Sequence, residues 1–364
     1  MRLLELLKSP VTSLPKEREG IDFLDFLEDV FDKFFRHLSE LDVTGDITEK
    51  IHLNVDNSRI LADSIISSIT RYYDGHPGEA YEVLKNGILR VHPHIRSLVA
   101  ESASAAYFKN LYRIRIKEDK TITREGMFHI PFQLRHLVRS QRYSIPGFPS
   151  LYLGSSIYIA WREMGCPDLN NVIVSRVEAN EDIKILDFGY VPQYEPEVIA
   201  NLENYTVGAD VLSEMFLARI VCWPLMAACS VKVEHKKSPF KPEYIIPQIL
   251  LQLIRNDVFG EDIDGIRYFS MNTGNDIPSL RIHNNFVFPV KVNNLSGHCE
   301  TLKRKFKLTE PASWQLLNSI YEEPDYIHTP DGFIQLVKGI NTRYRSTDFA
   351  KIEARLTEIP AREL

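Results

Sequence analysis

The sequence predicts an α+β fold in which helices come first and short strands follow. Three observations carry this. Residues 20 to 105 show apolar residues at helical period. From Tyr107 onward the texture becomes short alternating or fully apolar runs bounded by turn residues. Those runs do not alternate regularly with helices, as a doubly wound parallel sheet would require.

In chain order, IDFLDFLEDVFDKFFRHL places apolar residues at 21, 23, 24, 27, 30, 31, 34, 35 and 38, with acids on the opposite face. NSRILADSIISSITRYY is a second helix, with Asn57 or Ser58 as its cap. YDGHPG breaks the pattern, EAYEVLKNGILRV resumes it and HPH ends it, so His92 and His94 read as turn residues. NLYRIRIK alternates as a strand does; PFQLRHLVRSQ is a short helix; SLYLG is a strand that leads into the helix SSIYIAWREM. NVIVSRVEA, IKILDF and VCWPLMAACSVKV read as strands, with helical VLSEMFLARI before the last. EYIIPQILLQLIRN is an amphipathic helix, GIRYFS and NNFVFPVKV are strands, and the chain beyond about 296 carries mixed helix signals and a charged end.

Composition bounds the function. The 364 residues suffice for two or three domains, and 44% hydrophobic with 25% charged residues is ordinary for a soluble globular chain. Such a core needs no disulfide or metal staple. A net charge of -6 argues against a dominant phosphate-backbone partner, so no nucleic acid is expected. Cys166, Cys222, Cys229 and Cys299 form no CxxC pair, and no histidine cluster has zinc spacing. They read as reduced, buried thiols, and no metal is expected. The amino terminus is too short in its apolar part for a signal peptide, and no run of 18 apolar residues occurs, so the expected location is cytoplasmic, with no membrane partner.

Among motifs, IKILDFGYVPQYEPE imitates the DFG and APE elements of a protein kinase. The rest of a kinase is missing: there is no HRD…N loop, no glycine-rich phosphate loop and no β3 lysine. Asp187 reads instead as a strand-end turn residue. No GxxxxGK[ST], GxGxxG, GxSxG or HExxH is present. The informative stretch is RYSIPGFPSLYLGSSIYIAWREMG, residues 142 to 165, which ends an apolar helix on Glu163. With Ser155 as the helix cap, Glu163 falls beside Ala160, one turn beyond Ile159, and borders the buried face. A carboxylate there loses solvation, and an arginine partner would compensate it. From the residues alone, a structural arginine–glutamate pair is the plainer reading.

This stretch resembles the RES-domain family, named for an arginine, a glutamate and a serine in its pocket. The resemblance rests on Tyr112-Arg113-Ile114-Arg115, Arg142-Tyr143, Pro146-Gly147, Leu151-Tyr152-Leu153 with Ser155, and Glu163, in the family's order and spacing. It covers residues 107 to 292, about half of the chain, and the whole chain looks like the longer members with a preceding helical segment. The serine is Ser230 in MAACSVKV, with Ser238 in KKSPFKP as its rival, because EYIIP stands where shorter members have NYLxNP.

The resemblance implies an ADP-ribosyltransferase-like split-sheet core around a cleft for NAD. It divides the chain into a helical domain (1–105), a RES domain (106–295) and an extension packing on the core (296–364). It implies a toxin or defence effector that cleaves the nicotinamide–ribose bond of NAD, as a glycohydrolase or, with inorganic phosphate as co-substrate, a phosphorylase. A protein ADP-ribosyltransferase and a binding module with a decayed pocket are the alternatives. Nicotinamide leaves through an oxocarbenium-like state, which suits Glu163 as the charge-stabilising carboxylate. Arg113 and Arg142 suit the pyrophosphate or phosphate; Tyr152 or Tyr143 offers an aromatic face; Ser230 would hold a ribose or phosphate, and Ser155 lines the pocket. Arg115 ranks below Arg113, on the argument that strand alternation turns it away. The two guanidiniums and Glu163 are expected to converge on one cleft. An antitoxin or immunity protein is the implied partner. The helical region is open to several roles, among them antitoxin binding, pocket shielding, sensing and homodimer formation.

Overall fold

The computed structural model describes residues 1–43, 45–101, 110–117, 121–189, 209–273, 276, 282–320 and 332–364. The chain forms two compact units. One comprises Met1–Val99, Gln141–Ser144 and Val191–Asp262; the other comprises Ala100–Ser140, Ile145–Tyr190 and Ile263–Leu364. The expected segments 1–105, 106–295 and 296–364 do not follow this division. Residues 191–262 group with the N-terminal helices, and residues 296–364 group with the sheet.

The first unit is helical. Phe23–Ser39 forms on the periodicity described above; the Asp22 carboxylate caps it by accepting from the Leu24 N–H at 2.8 Å, and Phe23, Phe26, Leu27, Val30, Phe31, Phe34, Phe35 and Leu38 form its buried stripe. Val55–Tyr73 begins before the expected caps, so Asn57 and Ser58 lie inside its first turn. It packs closely on Pro77–Arg90, because a Cβ at Gly87 would stand 2.3 Å from Ser64 Cβ. His92 and His94 open the helix His92–Ser97, where they face the Phe259 carbonyl and the Asn54 side chain. VCWPLMAACSVKV is not a strand: Ala209–Val221 and Trp223–Cys229 are helices, and every residue of the latter is buried. An apolar run with no polar face carries no period, and Pro224, at home in a first helical turn, was the available signal.

Eleven strands are described: β1 (Val99–Glu101), β2 (Leu111–Ile116), β3 (Ser150–Gly154), β4 (Val172–Ala179), β5 (Lys184–Phe188), β6 (Gly265–Phe269), β7 (Asn284–Pro289), β8 (Phe306–Leu308), β9 (Ala312–Ser313), and the hairpin β10 (Phe333–Val337) and β11 (Ile340–Arg343). One mixed sheet runs β1-β5-β6-β7-β3-β2-β4-β8, with β9 on β4. β5 and β6 are parallel, and the pairs from β6 through β8 are antiparallel. This mixed α+β architecture agrees with the fold class read from the sequence. β2 and β3 meet at a single pair, Tyr112 and Gly154, whereas β3 with β7 and β2 with β4 form full ladders. The sheet therefore parts at the β2–β3 seam.

Period-2 alternation gives the sheet two chemically distinct faces. Leu111, Leu151, Leu153, Phe286 and Phe288 pack on one face with Phe128 and Phe132. Tyr112, Ile114, Val172 and Val174 pack on the other with Ile157, Tyr158, Phe349 and Ile352. Asp187 lies in β5, where it accepts from the Gly189 N–H at 2.9 Å and pairs with Arg267 at 3.2 Å. The kinase-like continuation from Tyr190 lies outside the described residues. Among the described residues, no helix is long and apolar enough to cross a membrane.

Candidate functional site

The site is built on the segment that the sequence singled out. Ile145-Pro146-Gly147-Phe148 is a tight turn: the Phe148 N–H donates to the Ile145 carbonyl at 2.9 Å, and Gly147 takes a φ of 72°. Pro and Gly occupy the two central positions that such a turn favours. β3 follows and ends on Gly154, where a Cβ would stand 2.8 Å from the Ser156 carbonyl and 2.9 Å from Ile159 Cγ2. That glycine lets the helix Ile157–Glu163 fold back against its own strand.

Ser156, not Ser155, caps this helix. The Ser156 hydroxyl accepts from the Ile159 N–H at 3.0 Å and donates to the Ile282 carbonyl at 2.8 Å. Ser155 joins the segment to β7: its N–H donates to the Asn284 carbonyl at 2.8 Å, and its hydroxyl accepts from the Asn284 N–H at 3.0 Å.

Glu163 ends the helix at an exposed position and meets three side-chain donors. The Asn285 amide donates to Oε1 at 2.7 Å, the Asn272 amide donates to Oε2 at 2.8 Å, and the Ser270 hydroxyl donates to Oε1 through a short bond. Ser270 is fully buried and in turn accepts from the Asn272 N–H at 3.1 Å. Arg162 fixes the same loop by donating from Nε to the Asn272 carbonyl at 2.9 Å. Among the described residues the partners of Glu163 are thus two amides and a hydroxyl, not the arginine expected. Two carboxylate oxygens offer about four lone-pair sites, so three donors orient the group and leave acceptor capacity toward solvent.

Arg113 stands at the β2–β3 seam. Its Nη1 donates to the Tyr152 carbonyl at 2.7 Å, taking up an acceptor that a continuous ladder would have used. Its Nε is buried without a hydrogen-bond partner. Burial, with the Arg115 charge adding to it, lowers this guanidinium to about 9. Arg113 and Arg115 are two apart on one strand and so share a face, contrary to the expectation that Arg115 turns away. That face is the one packed on Phe128, whose carbonyl accepts from Arg115 at 3.3 Å. Nearby His129 donates from Nδ1 to the Ile130 carbonyl at 2.7 Å and accepts at Nε2 from the Cys299 N–H at 2.8 Å; burial holds it down at about 4. The Glu163 helix covers the opposite face, so Arg113 and Glu163 do not share the single cleft expected of them. Tyr152 links the two: it leaves the sheet on the same face as Asn285 and Gly154, while its phenol, pushed up by burial, feels the Arg113 charge.

The remaining predicted residues belong to the first unit. The Arg142 guanidinium is spent on backbone: Nη1 donates to the Cys229 carbonyl at 3.1 Å and Nη2 to the Val231 carbonyl at 2.8 Å. Tyr143 is buried and hydrogen-bonds the Cys229 side chain, whose thiol burial pushes up to about 12. Ser230 closes the helix Trp223–Cys229 and donates back to the Met226 carbonyl at 2.6 Å. Ser238 lies in the same unit, its N–H donating to the His235 carbonyl. These groups saturate local carbonyls because a buried donor without an acceptor is costly, about 1–3 kcal/mol. Of the cysteines, Cys222, Cys229 and Cys299 are buried, whereas Cys166 is exposed.

No family model and no solved structure matches the chain. It is 31% identical over 347 residues to the Bacillus subtilis (strain 168) protein named "Putative toxin YopC", covering 94% of this chain and 77% of that protein. The chain belongs to the YopC family.

In this YopC-family chain, sequence reasoning singled out Glu163, Arg113 and Tyr152 but not the partners of Glu163, namely Ser270, Asn272 and Asn285. Two signals for them existed. Ser270 ends the strand GIRYFS, and Asn284-Asn285 opens NNFVFPVKV, an otherwise apolar strand, with both asparagines buried. Buried polar residues at strand ends need partners, and here the partner is the glutamate already singled out.

Proposed function

We propose that the second unit is an NAD-consuming catalytic domain of the RES type, ADP-ribosyltransferase-like in fold, and that the chain acts as a toxin or defence effector by cleaving the nicotinamide–ribose bond. One observation carries this reading: the Glu163 carboxylate sits at an exposed helix end, oriented by Ser270, Asn272 and Asn285 and still able to accept. A negative group held this way stabilises an oxocarbenium-like ribose as nicotinamide departs and accepts from a ribose hydroxyl or the attacking water. Preorganised donors keep it from collapsing onto a neighbour between turnovers.

Arg113 stands at the parted seam, on the face opposite the Glu163 helix and with no carboxylate against it among the described residues; its charge is assigned to the pyrophosphate, or to phosphate as co-substrate. Tyr152 presents an aromatic ring on the Asn285 face. Ser270, rather than Ser230, takes the serine position of the arginine–glutamate–serine trio, because its hydroxyl touches Glu163. The name of the Bacillus relative supports the toxin reading, and an antitoxin covering Glu163 would silence it.

The purified chain incubated with NAD should release nicotinamide, read by chromatography with and without inorganic phosphate. ADP-ribose as product means hydrolysis, and a phosphorylated ADP-ribose formed only with phosphate means phosphorolysis. Label transferred to protein would reassign the chain as a transferase. No release of nicotinamide under any of these conditions sinks the proposal.

A further inference from the structure

The helix that carries Glu163 is only seven residues long, and isolated helices of that length do not persist in water. Its direction must therefore come from contacts at its ends. Ser156 satisfies the Ile159 N–H, but the Ile157 N–H belongs to the group that a helix leaves without an internal acceptor. The acceptor comes from far along the chain. Glu353, in the helix Asp348–Glu358, is buried, and its Oε1 accepts from the Ile157 N–H and from the Tyr344 hydroxyl, each at 2.6 Å.

A second tie reaches the next residue. The Tyr158 hydroxyl donates to Asp276 Oδ2 at 2.7 Å, His283 Nε2 meets the same oxygen at 3.1 Å, and the Gln335 N–H of β10 donates to Asp276 Oδ1 at 2.6 Å. The His283 carbonyl also accepts from the Ser270 N–H at 2.8 Å. The first turn of the helix is thus held at two adjacent residues, at Ile157 by Glu353 and at Tyr158 by Asp276, which β10 anchors in turn; the His283 that meets Asp276 leads on to Ser270.

We propose that Glu353 is a positioning residue: its carboxyl, seated on the Ile157 N–H, fixes the helix so that the Glu163 carboxylate meets Ser270, Asn272 and Asn285. Burying an acid without a cationic partner is unfavourable, and well-packed apolar residues do a purely structural job at least as well. The described partners of Glu353 are a backbone N–H and a phenol. The one backbone group it accepts from stands at the start of the element that ends in Glu163. This role rests on the NAD-cleaving reading for its kinetic consequence but not for its geometry.

Three variants test it. Glu353→Gln keeps an acceptor oxygen in place; Glu353→Leu fills the space without one; Glu353→Asp retracts the acceptor while perturbing the fold least. Two readouts are taken on the full chain: kcat and KM for nicotinamide release, and amide hydrogen exchange across residues 157 to 163. The expected result is that Leu and Asp each lower kcat at least tenfold, leave KM within twofold, and raise exchange at least tenfold. Gln should stay within twofold of the parent on all three. Should the Leu variant fail to fold, the Asp variant decides. A folded Asp or Leu variant with parental kcat and parental exchange overturns the assignment, and so does a Gln variant as impaired as Leu. If the parent releases no nicotinamide, the reading of the reaction fails by itself. Exchange in the Asp variant then decides alone, with a rise supporting the seat and parental protection refuting it.

Discussion

Residues 141–144 and 150–163 are near neighbours in sequence and opposites in chemistry. In the first stretch, Arg142 and Tyr143 are buried in the helical unit, and the guanidinium hydrogen-bonds main-chain carbonyls. In the second, Glu163 stands at an exposed helix end among three side chains that come from two other places in the chain. The first arrangement completes a fold, since the guanidinium satisfies two main-chain carbonyls 87 and 89 residues along the chain. The second leaves acceptor capacity toward solvent among the described residues, as the reaction centre proposed for it would require. A motif read along the chain gave both stretches equal standing; hydrogen-bond partners separate them.

The comparison breaks first at Arg142. Arg142→Met leaves the Cys229 and Val231 carbonyls without these donors and should cost about 3 kcal/mol of stability in the first unit, read as a lower midpoint in denaturant unfolding. Nicotinamide release per folded molecule should not change. A stable variant that has lost activity would return Arg142 to the site.

A smaller effect lies in pH. Burial raises the Glu353 carboxyl to about 8 from an ordinary 4.5, so between those values the folded chain holds a proton that the unfolded chain has released. Stability from this group is therefore full below about 4.5 and falls as pH rises toward 8, by up to about 1.4 kcal/mol per unit. Tyr112 and Tyr344, the phenols that feel it, are pushed well up by burial and stay neutral across the window. Unfolding followed from pH 5 to pH 8 should show this decline in the parent and a flatter profile in Glu353→Gln. Equal slopes would contradict the assignment.

Much of the fold was legible in the sequence, for reasons that also explain the failures. Helices with one polar face, such as Phe23–Ser39, announced their period, and alternating β2 announced its own. The helix Trp223–Cys229 hid because burial on all sides erases the period. Glu163 was visible as a lone acid closing an apolar helix. Its partners were not, because Ser270, Asn272 and Asn285 are ordinary polar residues brought to it by the β6–β7 pairing and the loop between those strands. Motif spacing offered Ser230 with Ser238 as its rival and passed over Ser270, because spacing says nothing about where a hydroxyl points. The β2–β3 seam was likewise invisible, since a missing ladder leaves no mark on either strand.

The account stands or falls on Glu163. Its most direct test is the rate of nicotinamide release at saturating NAD for Glu163→Gln beside Ser230→Ala, both shown to be folded. The account predicts a loss of at least a hundredfold for the first, about 2.7 kcal/mol in the barrier, and no change for the second. Parental activity in Glu163→Gln, or a comparable loss in Ser230→Ala, would contradict it.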